Sequence, residues 1–138
     1  MKVLFDTNVI LDVLLDREPF SEPAAQLMSK VEESEIQGFL CATTITTIHY
    51  LISRILGRNA AKKHIKSLLS LFEISPVTRT VLENALVNQF NDFEDSVLHE
   101  SAVHSGAKYI VTRDTNDFKS SKIPVFEPIQ FINIMKNL

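Results

Sequence analysis

Residues 2–15 have the sequence KVLFDTNVILDVLL, and this stretch decides the fold. The segment 2–5 is too short for a helix and too apolar for an exposed position, so it predicts a central strand buried on both faces. In the segment 8–16 the apolar residues recur with a helical period, which predicts a short helix after a turn. Asp6 therefore stands at the end of a buried strand, where open parallel sheets carry their sites.

Strands and helices alternate along the rest of the chain. Further strands are predicted at 38–43, 72–75, 108–112 and 124–127, and further helices at 21–34, 46–57, 59–71, 78–90, 93–106 and 128–137. Such alternation predicts a parallel sheet covered by helices on both faces. Right-handed crossovers then place the carboxyl ends of all strands along one edge of that sheet.

Several residues are predicted to mark the ends of these helices. Ser21, Asn59 and Thr78 are expected to be helix caps, because their side chains can accept hydrogen bonds from free backbone N–H groups. Gly38 is expected to end the helix before the second strand, and Pro128 to open the last helix.

The composition predicts one soluble globular domain spanning residues 1–138. Its 45% of hydrophobic and 22% of charged residues allow a core and argue against disorder. No apolar run approaches the ~18 residues needed to cross a bilayer. Asp6 and Asp12 interrupt any signal-peptide segment at the N-terminus. The single cysteine, Cys41, excludes an intrachain disulfide, so we expect a cytoplasmic protein without a membrane segment.

Charge is distributed unevenly along the chain. The segment 36–72 contains no acid and five basic residues, so the remainder carries −8 from nine Lys and Arg against 17 acids. One interpretation is a solvated helix face. The other is a surface for a nucleic-acid backbone beside an acidic pocket. The basic residues are Arg54, Arg58, Lys62, Lys63 and Lys66.

Acids gather at three places that the predicted topology brings to one edge of the sheet. Asp6 follows the first strand, Asp95 lies at the start of the helix 93–106 together with Asp92 and Glu94, and the segment TRDTND follows the strand 108–112. If those two strands are neighbours, Asp6, Asp95 and either Asp114 or Asp117 converge on one pocket. Taken singly, these acids have structural interpretations as helix caps, partners of a helix dipole or turn residues.

Converging carboxylates repel one another and must take up protons or bind a cation. Mg²⁺ or Mn²⁺ suits a set of oxygen ligands. Such ions activate water for the hydrolysis of phosphodiesters. The pattern therefore favours a metal-dependent hydrolase without a protein nucleophile, because no Ser–His–Asp or Cys–His arrangement is evident.

Three segments together resemble the PIN-domain family, and in particular its single-domain bacterial branch that includes VapC-type toxins. The resemblance runs over essentially the whole chain in the right order. The motif DTNV alone would be weak, but its combination with FED before a helix and with IVTRDTNDF is strong. The segments are VLFDTNVILDVLL (3–15), DFEDSVLHESAVHSGAKYIVTRDTNDF (92–118) and IPVFEPIQFI (123–132).

This resemblance implies a three-layer α/β/α sandwich around a parallel sheet of about five strands. It implies an Mg²⁺- or Mn²⁺-dependent endoribonuclease that acts on RNA, often as a homodimer, and that an antitoxin protein can inhibit. By position in the motifs, the metal-binding and catalytic acids are Asp6, Asp95, Asp114 and Asp117.

The resemblance also suggests residues that would contact the substrate or support the acids. Asn8 matches the polar residue two positions after the first acid, and Thr112 matches the hydroxyl residue of the last motif. Arg113 is a candidate for touching the scissile phosphate or for pairing with the acids.

One position departs from the family pattern. Many members carry a Glu on the helix predicted at 46–57, and His49 stands there instead. A His is a softer and pH-dependent ligand, which weakens the prediction of two tightly held ions. His49 could instead be a core-edge residue, and Asp12 could supply the missing carboxylate or be a surface residue.

Two rival functions follow from these observations. A weakly active or inactive PIN-like RNA-binding or scaffold protein is the first, because His49 replaces the expected acid. The second is an aspartate-phosphorylating phosphatase on the same kind of sheet. That class requires an Asp two residues after the first acid, where this chain has Asn8.

Overall fold

The computed structural model describes residues 1–138 and contains five strands that alternate with helices. The strands are β1 (Lys2–Phe5), β2 (Gln37–Cys41), β3 (Glu73–Ser75), β4 (Tyr109–Val111) and β5 (Val125–Phe126). The α-helices are α1 (Thr7–Leu14), α2 (Ser21–Glu32), α3 (Ala42–Leu56), α4 (Arg58–Leu71), α5 (Arg79–Val87), α6 (Phe93–His104) and α7 (Pro128–Lys136). A short 3₁₀ helix at Thr115–Phe118 follows β4.

All strand pairs in the single five-stranded sheet are parallel, and their order is β3-β2-β1-β4-β5. The first strand is therefore central, as the sequence predicts. Its residues alternate between the two faces of the sheet. Val3 and Phe5 belong to a core cluster of 18 buried residues, whereas Leu4 belongs to a second cluster of nine. The expected α/β/α sandwich with helices on both faces is confirmed.

The larger core lies between the sheet and helices α1, α2, α3, α4 and α7. Buried residues such as Leu27 and Ile48 come from these helices. The smaller core includes Leu98 and Ala102 of α6, which covers the other face of the sheet. The first turn of α6 therefore lies on the opposite face of the sheet from most other helices. Residues at the carboxyl edge of the sheet come from both helical layers.

Some predicted boundaries are wrong. Helix α3 begins at Ala42, four residues earlier than predicted, because the β-branched threonines at its start hide the helical pattern. Gly38 lies inside β2 rather than at a helix end, where a Cβ would approach the Phe72 ring to 2.7 Å. Ser21 is the first residue of α2 and makes no cap bond. Asn59 lies inside α4, whose cap position is Gly57.

Two other helix starts agree with the sequence. Thr78 caps α5, where its hydroxyl accepts a hydrogen bond from Val81 N at 3.2 Å. Pro128 is the first residue of α7, which places its missing N–H where a helix leaves donors unpaired. None of these helices is long and apolar enough to span a bilayer.

Candidate active site

The site begins where strand order changes direction. From β1 the chain proceeds to β2 and β3 on one side of the sheet, and β4 and β5 lie on the other side. Phe5 of β1 pairs in register with Val111 of β4. The residues that follow, Asp6 and Thr112, therefore emerge side by side at the carboxyl edge, at a switch point of the kind where α/β sheets bind ligands.

Asp6 is the most buried of the four predicted acids and is 8% exposed. It is the N-cap residue of α1, where its Oδ1 accepts from Thr7 N at 2.7 Å. Its Oδ2 accepts from the hydroxyl of Thr112 at 2.8 Å. Burial raises the pKa of Asp6, the hydrogen bonds from Thr112 and Thr7 oppose that rise, and the charges of Asp114 and Glu94 add to it. A cation would relieve both the burial cost and this repulsion.

Asn8 connects three of the groups that sequence analysis assigned to the site. Its Nδ2 lies 3.1 Å from Asp114 Oδ2, 3.3 Å from Thr112 Oγ1 and 3.4 Å from Asp6 Oδ2. Its Oδ1 accepts from the backbone N of Arg113 at 3.2 Å. The side-chain amide of Asn8 thus holds the first turn of α1 against the segment that follows β4.

Asp95 lies half-buried in the first turn of α6. The helix start is fixed by Asp92, whose Oδ1 accepts from Asp95 N at 3.0 Å. Burial, together with the charges of Asp6, Asp92, Asp117 and Glu94, raises the pKa of Asp95 to about 7. Those charges act on Asp95 because the acidic start of α6 faces the carboxyl edge of the sheet.

The sequence left open whether Asp114 or Asp117 joins the site, and both follow β4 at this edge of the sheet. Both are exposed. Asp114 N donates to Thr112 Oγ1 at 3.0 Å, and Asp117 N donates to the backbone oxygen of Asp114 at 3.0 Å. Phe118, only 2% exposed, anchors their short helix in the smaller core.

The oxygen ligands gathered here are of the type that Mg²⁺ or Mn²⁺ prefers. The raised pKa values of Asp6 and Asp95 are also those of carboxylates that lack a compensating charge. As the side chains are arranged, however, no three carboxylate, imidazole or thiol groups of the chain lie close enough together to bind one ion. The chemistry of the donors therefore fits such a cation, but the side chains as arranged here are too far apart to surround one ion.

Asp12 is not a further ligand of this site. It is completely buried and forms salt bridges with two arginines. Arg17 Nε lies 2.8 Å from Asp12 Oδ1, and Arg113 Nε lies 2.7 Å from Asp12 Oδ2. The interpretation of Asp12 as a surface residue is therefore wrong, and both of its carboxylate oxygens are occupied by arginines in this structure.

Arg113 is held away from the acid cluster by this pairing. Its Nη2 lies 3.2 Å from Asp12 Oδ1, which makes the contact two-pronged. Its guanidinium also lies over the ring of Phe20, 4.0 Å from the centroid. Sequence reasoning missed Phe20 and Arg17, because nothing local in the chain relates either residue to Arg113.

His49 is exposed on α3, which excludes the core-edge interpretation. Thr44, in the first turn of α3, is the residue that joins this helix to the site. It is 1% exposed, and its hydroxyl lies 2.9 Å from that of Thr7. The five basic residues of the segment 36–72 are also exposed, on α3 and α4. Sequence analysis did not identify Thr44, since threonines fill this stretch without a distinguishing pattern.

Fold and site together define a three-layer α/β protein with a cluster of carboxylates at the switch point of its sheet. Residues 2–116 match the sequence profile of the PIN domain, and the chain belongs to the PIN-domain family. It is 27% identical over 135 residues to the protein named Ribonuclease VapC1 of Aquifex aeolicus (strain VF5), which covers 94% of this chain and 92% of that protein.

Solved structures support the same fold. FitAcB from Neisseria gonorrhoeae superposes with a TM-score of 0.70 and 21% identity, over 92% of this chain and 98% of that one. Mycobacterium tuberculosis VapC20, described as a Sarcin-Ricin loop cleaving toxin, superposes with a TM-score of 0.68 and 16% identity, over 88% of this chain and 98% of that one.

Proposed function

We propose that this protein is an endoribonuclease dependent on Mg²⁺ or Mn²⁺, and that it is the toxin of a toxin–antitoxin pair. The observation that carries the proposal is the environment of Asp6. This carboxylate is buried at the switch point, is hydrogen-bonded by Thr112, and faces the charges of Asp114 and Glu94. The similarity to a ribonuclease over 94% of the chain supports RNA as the substrate.

The residues that would hold the cation are Asp6, Asp95, Asp114 and Asp117. When bound, a divalent cation activates water and neutralises charge on a scissile phosphate. Asp6 is the fixed member of this set because both of its oxygens already accept hydrogen bonds. Asp114 and Asp117 are exposed, so their side chains can rotate towards Asp6.

The neighbouring polar residues have supporting roles in this proposal. Thr112 donates a hydrogen bond that favours the charged form of Asp6 and so opposes the rise in pKa that burial causes. Asn8 holds Asp114 beside Asp6 through the two contacts of its Nδ2. Asn8 is partly exposed and would make the substrate contact predicted for it, whereas Thr112 is completely buried and would act through Asp6 instead.

The exposed basic residues of α3 and α4 would guide the RNA backbone towards the acidic pocket. RNA without stable pairing is the expected substrate, because its bases and phosphates can both reach an open edge of the sheet. A family member that acts as a toxin would be inhibited by a partner protein. Two of the solved relatives are described as VapBC complexes bound to DNA, and another as a toxin–antitoxin complex. A homodimer remains a prediction of the family resemblance.

The experiment is an incubation of the purified chain with an unstructured RNA in Mn²⁺ and, separately, in EDTA. Wild-type protein should cleave in Mn²⁺ only, and Asp6→Asn should not cleave. Asp16→Asn is the matched control, since Asp16 is exposed, has a positive φ of 49° that Asn tolerates, and lies outside the site. Inducible expression in a bacterium should arrest growth with the wild type and the control, but not with Asp6→Asn.

The rival functions predict other results in the same assay. RNA binding without cleavage would identify an RNA-binding scaffold, the interpretation motivated by His49. Phosphate release from a small phosphomonoester with the RNA left intact would identify a phosphatase. Equal cleavage in Mn²⁺ and EDTA would contradict the metal-dependent mechanism.

A further inference from the structure

An open cleft of about 400 Å³ lies between the start of α2 and the start of α7. Arg113 forms part of its lining, and the next residue in the chain is Asp114 of the candidate site. The backbone N of Arg113 is bound by the same Asn8 whose amide contacts Asp6 and Asp114. Through Asn8, one wall of the cleft is therefore linked to two acids of the candidate site. Its lining consists of Pro19, Phe20, Pro23, Arg113, Glu127, Pro128 and Ile129.

The cleft contains a contact between a guanidinium and an aromatic ring, and a buried carboxylate fixes the guanidinium. Arg113 lies over the Phe20 ring at 4.0 Å and is bound by two contacts to the fully buried carboxylate of Asp12. Phe20 nevertheless remains 40% exposed, and the side chain of Arg113 remains 27% exposed. An aromatic ring and a guanidinium that are ordered and yet accessible form a preorganised stacking surface.

The cleft lining carries one basic and one acidic side chain, Arg113 and Glu127. Asp12 shares its one negative charge between two guanidinium groups, those of Arg17 and Arg113, so their positive charge is only partly neutralised. Arg17 is 39% exposed, so part of that charge faces solvent. A ligand with a flat π system next to a phosphate would meet both features at once.

We infer that this cleft binds a nucleobase of the RNA, adjacent to the scissile phosphate, by stacking against Phe20 and Arg113. The inference deepens the proposed function and rests on it. It assigns Arg113 a role in base stacking instead of contact with the scissile phosphate. The apolar walls formed by Pro128 and Ile129 would exclude water from the stacked base.

A protein segment is the competing occupant of such a cleft. An apolar peptide would match the proline and isoleucine walls, but it would not use the exposed guanidinium beside the aromatic ring. The contacts of Asn8 with Arg113, Asp6 and Asp114 also favour a ligand that reaches from the cleft to the acids. The observations therefore favour RNA, and the experiment below separates the two.

The first measurement uses a single fluorescent reporter. The chain contains no tryptophan, so Phe20→Trp introduces the only indole. In an Asp6→Asn background, which keeps the RNA intact, single-stranded oligo(A), oligo(C) or oligo(U) should quench its emission as a base stacks on the indole. Leu86→Trp, 72% exposed on α5 and outside the cleft, should show no quenching. A change of emission with protein concentration in the absence of RNA would show a second copy in the cleft and would overturn the inference.

The second measurement tests whether Phe20 contacts a base. Phe20→Ala should weaken RNA binding roughly 5- to 150-fold, the range found for losing one stacked base. An RNA with one abasic nucleotide next to the cleavage position should bind the wild type more weakly by a similar factor. The two losses should not multiply, because both remove the same contact. Multiplying losses would overturn the inference.

These outcomes distinguish failure of the inference from failure of the proposed function. Cleavage in Mn²⁺ without quenching and without coupling to the abasic nucleotide would leave a ribonuclease that does not use this cleft. Quenching and coupling without any cleavage would leave the base site in place on an RNA-binding protein. Quenching by an apolar peptide but by none of the oligonucleotides would assign the cleft to a protein partner and contradict the inference.

Discussion

The hydroxyl of Thr112 donates a 2.8 Å hydrogen bond to the buried Oδ2 of Asp6, across the ends of two neighbouring strands. The same hydroxyl accepts from Asp114 N at 3.0 Å. One oxygen atom therefore couples the first acid of the site to the segment that carries two others. In addition, it lowers the pKa of Asp6 against the effect of burial.

Replacing Thr112 by Val should impair both stability and activity. The free energy of unfolding should fall by about 1–3 kcal/mol, because a buried carboxylate loses its donor. The pKa of Asp6 should rise further, so protons compete better with Mn²⁺, and RNA cleavage at pH 7 should fall at least ~10-fold. Denaturant unfolding and a cleavage assay measure the two effects. Thr112→Ser keeps the hydroxyl and should therefore retain most of the stability and most of the cleavage activity. An inactive Ser variant would contradict the role of the hydroxyl as a donor to Asp6.

Asp95 should make the metal-free protein less stable as pH rises. Its pKa is about 7 in the folded protein and 3.8 in the unfolded chain, so the folded protein binds more protons between these values. The free energy of unfolding should therefore decrease from about pH 4 to pH 7 and stay low above it. Asp95→Asn should raise the thermal midpoint in EDTA at pH 8 and have little effect at pH 4. An equal effect at both pH values would contradict the assignment.

Mn²⁺ should stabilise the folded protein if the carboxylates hold it. At 100 times its dissociation constant, a ligand specific to the folded state adds about 2.7 kcal/mol. Thermal unfolding with increasing Mn²⁺ should show this gain for wild type and for the Asp16→Asn control, and it should be absent in Asp6→Asn. The gain should be smaller at pH 6 than at pH 8, since protons compete for Asp6 and Asp95. A gain of equal size in Asp6→Asn would place the ion elsewhere.

The Asp12 pairing should contribute to stability independently of metal. Asp12→Asn keeps the volume but removes the charge that two guanidinium groups share. We expect a loss of about 1–3 kcal/mol in the free energy of unfolding. This is less than is typical for breaking a fully buried ion pair, because both arginines are partly exposed. The loss should be the same in Mn²⁺ and in EDTA. Asp16→Asn should change stability little, and a metal-dependent loss would reinstate Asp12 as a ligand.

His99 should make the protein less stable in mild acid. It is 1% exposed, its Nε2 accepts from Lys122 N at 3.0 Å, and burial lowers its pKa below 6.5 although Glu100 opposes this. Between 6.5 and that lower value the unfolded chain binds a proton that the folded protein does not. Stability from this residue is therefore present above pH 6.5 and is lost as pH falls through the folded pKa.

The variant His99→Gln tests this assignment, because its amide oxygen can still accept from Lys122 N. The thermal midpoint of the wild type, measured relative to that of the variant, should decrease as the pH is lowered from 7 to 5. A difference that does not vary with pH would mean that His99 does not resist protonation in the folded protein.

Much of the fold follows from short segments of sequence. The buried run of β1, the helical period after Asp6 and the strand before Thr112 predict the sheet and its central strand. The same segments predict that Asp6, Asp95, Asp114 and Asp117 share one edge, because parallel strands align their carboxyl ends. The predicted start of α3 is four residues too late, since threonine has similar preferences for strands and helix starts and only packing decides between them.

The sequence by itself therefore determined the elements, their parallel arrangement and the acid-bearing edge, since hydrophobic period and chain adjacency act locally. Only the tertiary structure decided that Asp12 is bound by Arg113, 101 residues away, and that Arg113 stacks on Phe20 beside an open cleft. Such contacts depend on the directions in which side chains leave separate elements once these have packed. Local patterns carry no information about those directions, so burial and the available partners fix the role of each charge.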